Sequence, residues 1–262
     1  MKYKCLLLIF VIASCFICVN IYKKFFSYYT PAKERPQYKT SQHYDDTIRI
    51  AYIGDSWAQG HNNHNCLIEQ KIEEVMRCPV RVSSYGIGSL TSKEIYHALF
   101  EVEGLRHFME KGYNYCVISA GINDSSKKLS KSYYKKSINC LIRFMLYNHI
   151  RPIIIEIPDY DILDVYDKEC KYDKIIRNLS MIINAMPTDC KQEYRNTLDD
   201  LIKEKGYQDK VSIIRYKSWN ANYHDDLKTL YIDDHLHLNE KGYSVLDSVI
   251  VNEIIKQYSN PY

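Results

Sequence analysis

The stretch Ile48-Arg49-Ile50-Ala51-Tyr52-Ile53-Gly54-Asp55-Ser56 decides the fold. Its first six residues are short, apolar-rich and stopped by a glycine, the pattern of a strand buried on both faces. Outward from it, the same kind of run recurs at 80–83, 115–119, 152–157 and 211–214. Helical periodicity fills the gaps. Leu67, Ile68, Ile72, Val75 and Met76 share one face over 65–76, and Ile95, Leu99 and Val102 follow a helix start at Ser92, with Glu94 close behind. Ile138, Leu141, Ile142, Met145 and Leu146 lie inward over 132–149, and 239–256 closes the chain as a helix. Strands alternating with helices predict an α/β fold with a parallel sheet covered on both faces. The stretch 158–206 is longer than one crossover needs and reads as one or two extra helices, a candidate lid.

The chain has 262 residues, 46% of them hydrophobic and 26% charged, enough for one domain with a real core plus an appendage. A net charge of +3, with no arginine-rich stripe, argues against a nucleic-acid partner. The appendage is N-terminal. Lys2 and Lys4 precede an uncharged apolar run from Cys5 to Val19, and Lys23 and Lys24 follow it. That run has the minimum length for a bilayer span. Residues 1–22 therefore read as a membrane anchor or signal segment, with a lipoprotein signal ending at Cys15 as the alternative. Residues 23–46 carry Pro31 and Pro36 without sustained periodicity and read as a tether to a domain over 47–262. The expected placement is membrane-tethered and extracytoplasmic. The flanking lysines balance, so they do not set orientation.

Three polar motifs sit at expected carboxyl ends of strands, where open parallel sheets bind ligands. They are Gly54-Asp55-Ser56, Tyr85-Gly86-Ile87-Gly88-Ser89 and Gly121-Ile122-Asn123-Asp124, and a fourth, Asp234-His235-Leu236-His237, precedes the last helix. Together they hold the parts of serine-mediated acyl transfer. Ser56 is the candidate nucleophile and His237 its base. Asp234, three residues before His237, is the candidate orienter, with Asp233 as an alternative that spacing leaves open. Asp55 reads as a turn or helix-cap residue. Candidate oxyanion donors are the Ser56 N–H, a backbone N–H at Gly88 or Ser89, and the Asn123 amide.

These motifs resemble those of the SGNH/GDSL hydrolases, over about residues 48–256. Ile53-Gly54-Asp55-Ser56 matches the first block of that family, Gly121-Ile122-Asn123-Asp124 the third, and Asp234-His235-Leu236-His237-Leu238-Asn239 the last. The resemblance implies a flavodoxin-like three-layer α/β/α fold with a five-stranded sheet, and the roles just given for Ser56, Asn123, Asp234 and His237. The second block departs from the pattern. Anchored on Thr91-Ser92, an ungapped match puts Ser89 at the family's glycine position, and a one-residue shift restores Gly88. His235 replaces the small residue usual after the aspartate.

The expected function is a serine esterase that removes small acyl groups from carbohydrate without a cofactor or metal. The alternatives are an O-acetyltransferase on cell-surface polysaccharide and a non-catalytic glycan-binding protein. His61, His64 and Cys66 read as a solvated or substrate-facing loop rather than a metal site, lacking a second ligand set. Asp159, Asp161, Asp164 and Asp167 lack the spacing and glycine of a calcium loop. Of nine cysteines, Cys5, Cys15 and Cys18 belong to the apolar N-terminal run and the other six show no metal-ligand spacing; Cys170 and Cys190 flank one candidate helix of the insert and are open to pairing in an oxidising compartment.

Overall fold

A computed structural model describes residues 2–259, with side chains described for 10–20 and 27–258. The chain divides into two units, Met1–Pro31 and Ala32–Tyr262. The first contains helix α1 (Lys2–Tyr29). Phe10, Ile12, Phe16 and Ile17 on it are exposed. Among the described residues, no helix is long and apolar enough to cross a membrane. The first five residues of the apolar run expected as an anchor, 5–9, lie outside the residues whose side chains are described.

The second unit runs β1 (Ile48–Gly54), α2 (Ser56–His61), α3 (Asn65–Met76), β2 (Val80–Gly86), α4 (Ser92–Glu101), α5 (Glu103–Glu110), β3 (Tyr115–Ser119), α6 (Ile122–Ser126), α7 (Lys131–Tyr147), β4 (Arg151–Ile155), α8 (Ile162–Asp167), α9 (Lys171–Asn184), α10 (Lys191–Lys205), β5 (Ser212–Ile214), α11 (Tyr223–Leu230) and α12 (Glu240–Ser259). The strands form one parallel sheet in the order β2-β1-β3-β4-β5. The order reverses direction at β1, so a crevice opens between the carboxyl ends of β1 and β3. α3 packs with α12, and α7 packs with α4 and α10. Every residue of β3 is buried, as are all but one each of β1 and β4, whereas the edge strands β2 and β5 are only partly covered. The three-layer α/β/α architecture is therefore as expected.

Three differences bear on the site. The stretch 158–206 holds three helices: α10 is the crossover to β5, and α8 and α9 are the additions. α9 turns Tyr172, Ile175, Leu179, Ile182 and Ile183 toward solvent. The segment expected as a tether is helical through Tyr29 and lies against the domain from Ala32 onward. There the Ser137 hydroxyl accepts from Ala32 N at 3.2 Å, the Tyr96 hydroxyl from Arg35 N at 2.9 Å, and the Asn148 amide oxygen from Thr40 N at 3.0 Å. These partners give unpaired loop backbone its hydrogen bonds. Finally, His61 is not in a solvated loop. It ends α2 fully buried, with Nε2 2.8 Å from Asp247 Oδ1 and Nδ1 3.0 Å from Ser84 Oγ. Burial of this polar ring is offset by partners on both nitrogens.

Register aligns the strand ends. Gly54 pairs with Gly86 on one side and with Ser119 on the other. Asp55 N then donates to Ser119 O at 3.2 Å, and Ile87 N to Gly54 O at 3.1 Å. The packing here leaves no room for side chains. A Cβ on Gly86 would lie 2.0 Å from Gln59 N and 2.5 Å from Asp55 O, both backbone atoms of the turn into α2. Gly86→Ala is expected to destabilise the domain by about 1–3 kcal/mol, since backbone cannot step aside as a flexible side chain would. A chemical denaturation midpoint equal to that of wild type would show that α2 is not seated on β2 in this way.

Candidate active site

Ser56 is the first residue of α2, immediately after the Asp55 N-cap. Its hydroxyl oxygen lies 2.8 Å from His237 Nε2. The other ring nitrogen, Nδ1, lies 2.5 Å from Asp234 Oδ2. The second oxygen of Asp234 accepts from Leu236 N at 2.9 Å and His237 N at 2.8 Å. One carboxylate thus folds the turn that carries the histidine and aims its ring. Partial burial pushes the Asp234 carboxyl up, but the His237 ring and the two backbone N–H groups hold it below the usual carboxylate range. The three side chains, 181 residues apart in sequence at their ends, form one continuous relay. Asp233, the alternative orienter, is exposed, and Asp234 occupies the position at the ring.

Asp55 is a cap, as its place after the strand suggests. Its Oδ1 accepts from Trp57 N at 3.1 Å and from the Ser119 hydroxyl at 3.1 Å. Its Oδ2 is buried with no partner among the described residues. Burial pushes this carboxyl up to about 6, against the lowering pull of the Trp57 N–H, the Ser119 hydroxyl and His237.

Asn123 lies in the short helix α6, which starts at Gly121 with φ +122°. Its amide donates to Leu90 O at 3.0 Å, which leaves the second N–H of the same nitrogen uncommitted. Lys127, one turn on, donates to Ser89 O at 3.0 Å. α6 therefore grips the β2–α4 turn at two successive residues. Within that turn Ser89, not Gly88, takes the left-handed conformation, with φ +64°. The ungapped placement is the one this backbone favours: the residue in the glycine-like conformation is the serine. The backbone N–H groups of Ser56 and Ser89 form no hydrogen bond to any other described residue.

Sequence reasoning missed what holds these pieces. The buried Asp124 carboxylate accepts from Ser92 N at 2.8 Å and Ser92 Oγ at 2.5 Å, tying α6 to the start of α4. Burial pushes Asp124 up to about 6, against the lowering pull of the Ser92 hydroxyl and N–H. Thr91, one residue earlier, is the true N-cap, in a reciprocal capping box with Glu94. The T-S-x-E spacing signals that cap, but nothing in the sequence signals the bond to Asp124. His235, flagged as a departure, has φ +61° and places Nδ1 3.3 Å from Asp164 of α8. Lys168, just past α8, donates to Asp234 O at 3.3 Å. The insert thus braces the turn bearing Asp234 and His237. Among the described residues, no group of His, Cys, Asp or Glu is arranged to hold a metal ion. The described cysteines are free thiols; Cys190 is buried with Lys128 Nζ 3.2 Å from its sulfur, and Cys170 caps α9.

Residues 52–245 match the model of the GDSL-like lipase/acylhydrolase family. The chain belongs to that family. This acylhydrolase is also similar in structure to a lipase/acylhydrolase from Enterococcus faecalis, at 18% identity and TM-score 0.56 over 80% of this chain and 96% of that one. Two acetyl xylan esterases share the fold as well. AlAXEase is 15% identical with TM-score 0.54, over 79% of this chain and 100% of its own. Axe2 from Geobacillus stearothermophilus is 16% identical with TM-score 0.51, over 79% and 94%. No curated protein matches the acylhydrolase in sequence. Family membership identifies it as an ester hydrolase of GDSL type.

The buried acids give a stability prediction. Asp55 holds its proton up to about pH 6 in the fold but only to the ordinary carboxylate value near 4 when unfolded. Between those values the folded state binds more protons, so this group's contribution to stability falls as pH rises and is flat above about 6. The stability of Asp55→Asn relative to wild type should therefore climb between pH 4 and 7, by up to roughly 3 kcal/mol. Urea unfolding of both proteins across that range measures it. A constant difference would show that Asp55 is ionised in the fold throughout.

Proposed function

We propose that this acylhydrolase is a serine esterase that removes small acyl groups from carbohydrate. The observation that carries the reading is the unbroken relay Asp234–His237–Ser56, with both imidazole nitrogens engaged. Ser56 Oγ adds to the ester carbonyl while His237 Nε2 takes its proton, and Asp234 stabilises the imidazolium that forms. The negative charge on the former carbonyl oxygen faces the N–H of Ser56, the N–H of Ser89 and the spare N–H of Asn123. Donors of this kind are each worth about 3 kcal/mol in the transition state. The intermediate collapses as His237 returns the proton to the departing alcohol oxygen. Water, deprotonated by His237, then releases the acid. A purely glycan-binding protein would have no use for a histidine held between a carboxylate and a serine.

The resemblance in fold to two acetyl xylan esterases supports a short acyl group on sugar. We further propose that the enzyme is membrane-tethered and extracytoplasmic. The apolar run from Cys5 to Val19 and the apolar residues exposed on α1 support the tether, and an ester substrate on cell-surface carbohydrate is what the outer side would offer.

Hydrolysis of p-nitrophenyl acetate by the full chain tests the reading. Ser56→Ala and His237→Ala should each lower kcat by at least about 1,000-fold, and Asp234→Asn by a comparable factor with an unchanged fold. p-Nitrophenyl octanoate should be a poorer substrate than the acetate. Ser56→Ala retaining wild-type turnover would overturn the assignment.

A further inference from the structure

A cavity of about 480 Å³, within the range of small-molecule sites, opens past the end of β4. Its walls come from the loop after β4, the approach to α10 and the start of α11. It is tied to the turn that carries Asp234 and His237: Tyr223, which lines it, donates its hydroxyl to His235 O at 2.7 Å. Ile162 and Leu163 line it from α8, the helix whose Asp164 and following Lys168 brace residues 234–235. None of the four motifs reaches into it.

The chemistry of its lining selects a ligand. Asp159 is ion-paired with Arg195 at 2.8 Å, and Asp189 with Lys191 at 2.9 Å. Two of its three carboxylates are thus neutralised within the protein, which disfavours a metal ion or a strongly charged guest. Lys191 is nearly buried and spends one ammonium proton on Asp189 and one on Tyr160 O at 2.9 Å. An ammonium has three, so one donor remains. Asp161 uses only Oδ1, on the backbone of Leu163 and Asp164, which leaves Oδ2 to accept. Exposed Asn222 and His224 add groups that donate and accept. An alkyl chain placed here would strip water from all of these without replacing their hydrogen bonds, at a cost of about 1–3 kcal/mol for each polar group. Hydroxyl groups, which both donate and accept, match them.

We propose that this cavity is the subsite for the alcohol half of the ester, and that it takes a neutral, hydroxyl-rich sugar ring. The proposal rests on the esterase reading above for its place in catalysis. The sugar lies between α8 and α11, and its acylated oxygen points past Tyr223 to Ser56. Asn222, His224 and Lys191 act there as specificity residues, binding the ring rather than the reacting carbonyl.

The test uses the full chain and the variants Asn222→Ala, His224→Ala and Asp189→Asn, with p-nitrophenyl acetate and partially acetylated xylo-oligosaccharides as substrates. The variants should keep kcat/KM for p-nitrophenyl acetate within twofold of wild type. KM for the acetylated oligosaccharides should rise at least tenfold with kcat little changed. Equal losses on both substrates, or none on either, would overturn the subsite while leaving the esterase reading intact. Calorimetric titration of unacetylated xylohexaose into Ser56→Ala protein separates binding from turnover. Binding that disappears when Asn222→Ala or His224→Ala is added supports the subsite even if the wild type proves inactive. Absence of binding at millimolar sugar, or binding that survives both changes, would refute it.

Discussion

Everything at this site depends on three parallel strands ending level with one another. Gly54, Gly86 and Ser119 share a register, and Asp55 N and Ile87 N stitch the chain just past their ends. The fit is close enough that a methyl group on Gly54 would sit 2.1 Å from Ser119 O. Only a residue without a side chain permits that approach, and Gly54 also takes φ +152°. The close approach brings Ser119 to Asp55, and Asp55 sets the start of α2 where Ser56 stands. Slip in the register of β1 against β3 would move Ser56, and with it the meeting with His237.

A second layer of contacts turns this edge into a site. Asp124 holds Ser92, α6 holds the turn at Ser89 and Leu90, and α8 holds the turn that carries Asp234. Most of these are polar groups that fold one loop onto another rather than groups aimed at substrate. Their burial has an electrostatic consequence: two aspartates beneath the site carry carboxyls raised to about 6. The site thus rests on acids that the fold would rather keep protonated, and the hydrogen bonds from Trp57, Ser119 and Ser92 offset that cost. The neighbouring cavity draws on the same construction, since Tyr223 and α8 serve it and the triad turn together.

Much of this was legible before any coordinates. β3 and helix α3 lie at the residues their patterns predict, because buried strands read as apolar runs and α3 has a clear 3.6-residue stripe. Three of the motifs converge because they follow the carboxyl ends of neighbouring parallel strands, and the fourth is brought to them by the turn between α11 and α12. Helices α2 and α6, of six and five residues, were hidden: each is shorter than two turns, and its residues are those of the motif itself. His61 was misread because its partner Asp247 lies 186 positions away, so the sequence shows a histidine among polar neighbours and not the carboxylate that buries it. Ser92 and Asp124, 32 apart, failed to declare themselves for the same reason. Between Gly88 and Ser89, both open from the sequence, the structure adds one backbone angle, the φ of +64° at Ser89, which residue identity does not reveal.

The central claim is that the fold delivers an activated hydroxyl at Ser56. Reaction of the folded full chain with a fluorophosphonate probe, followed by intact mass and peptide mapping, addresses it directly. The account predicts one adduct per chain, on the peptide containing Ser56, and loss of labelling in His237→Ala. No adduct on folded protein, or an adduct on another residue at the same rate, would contradict it.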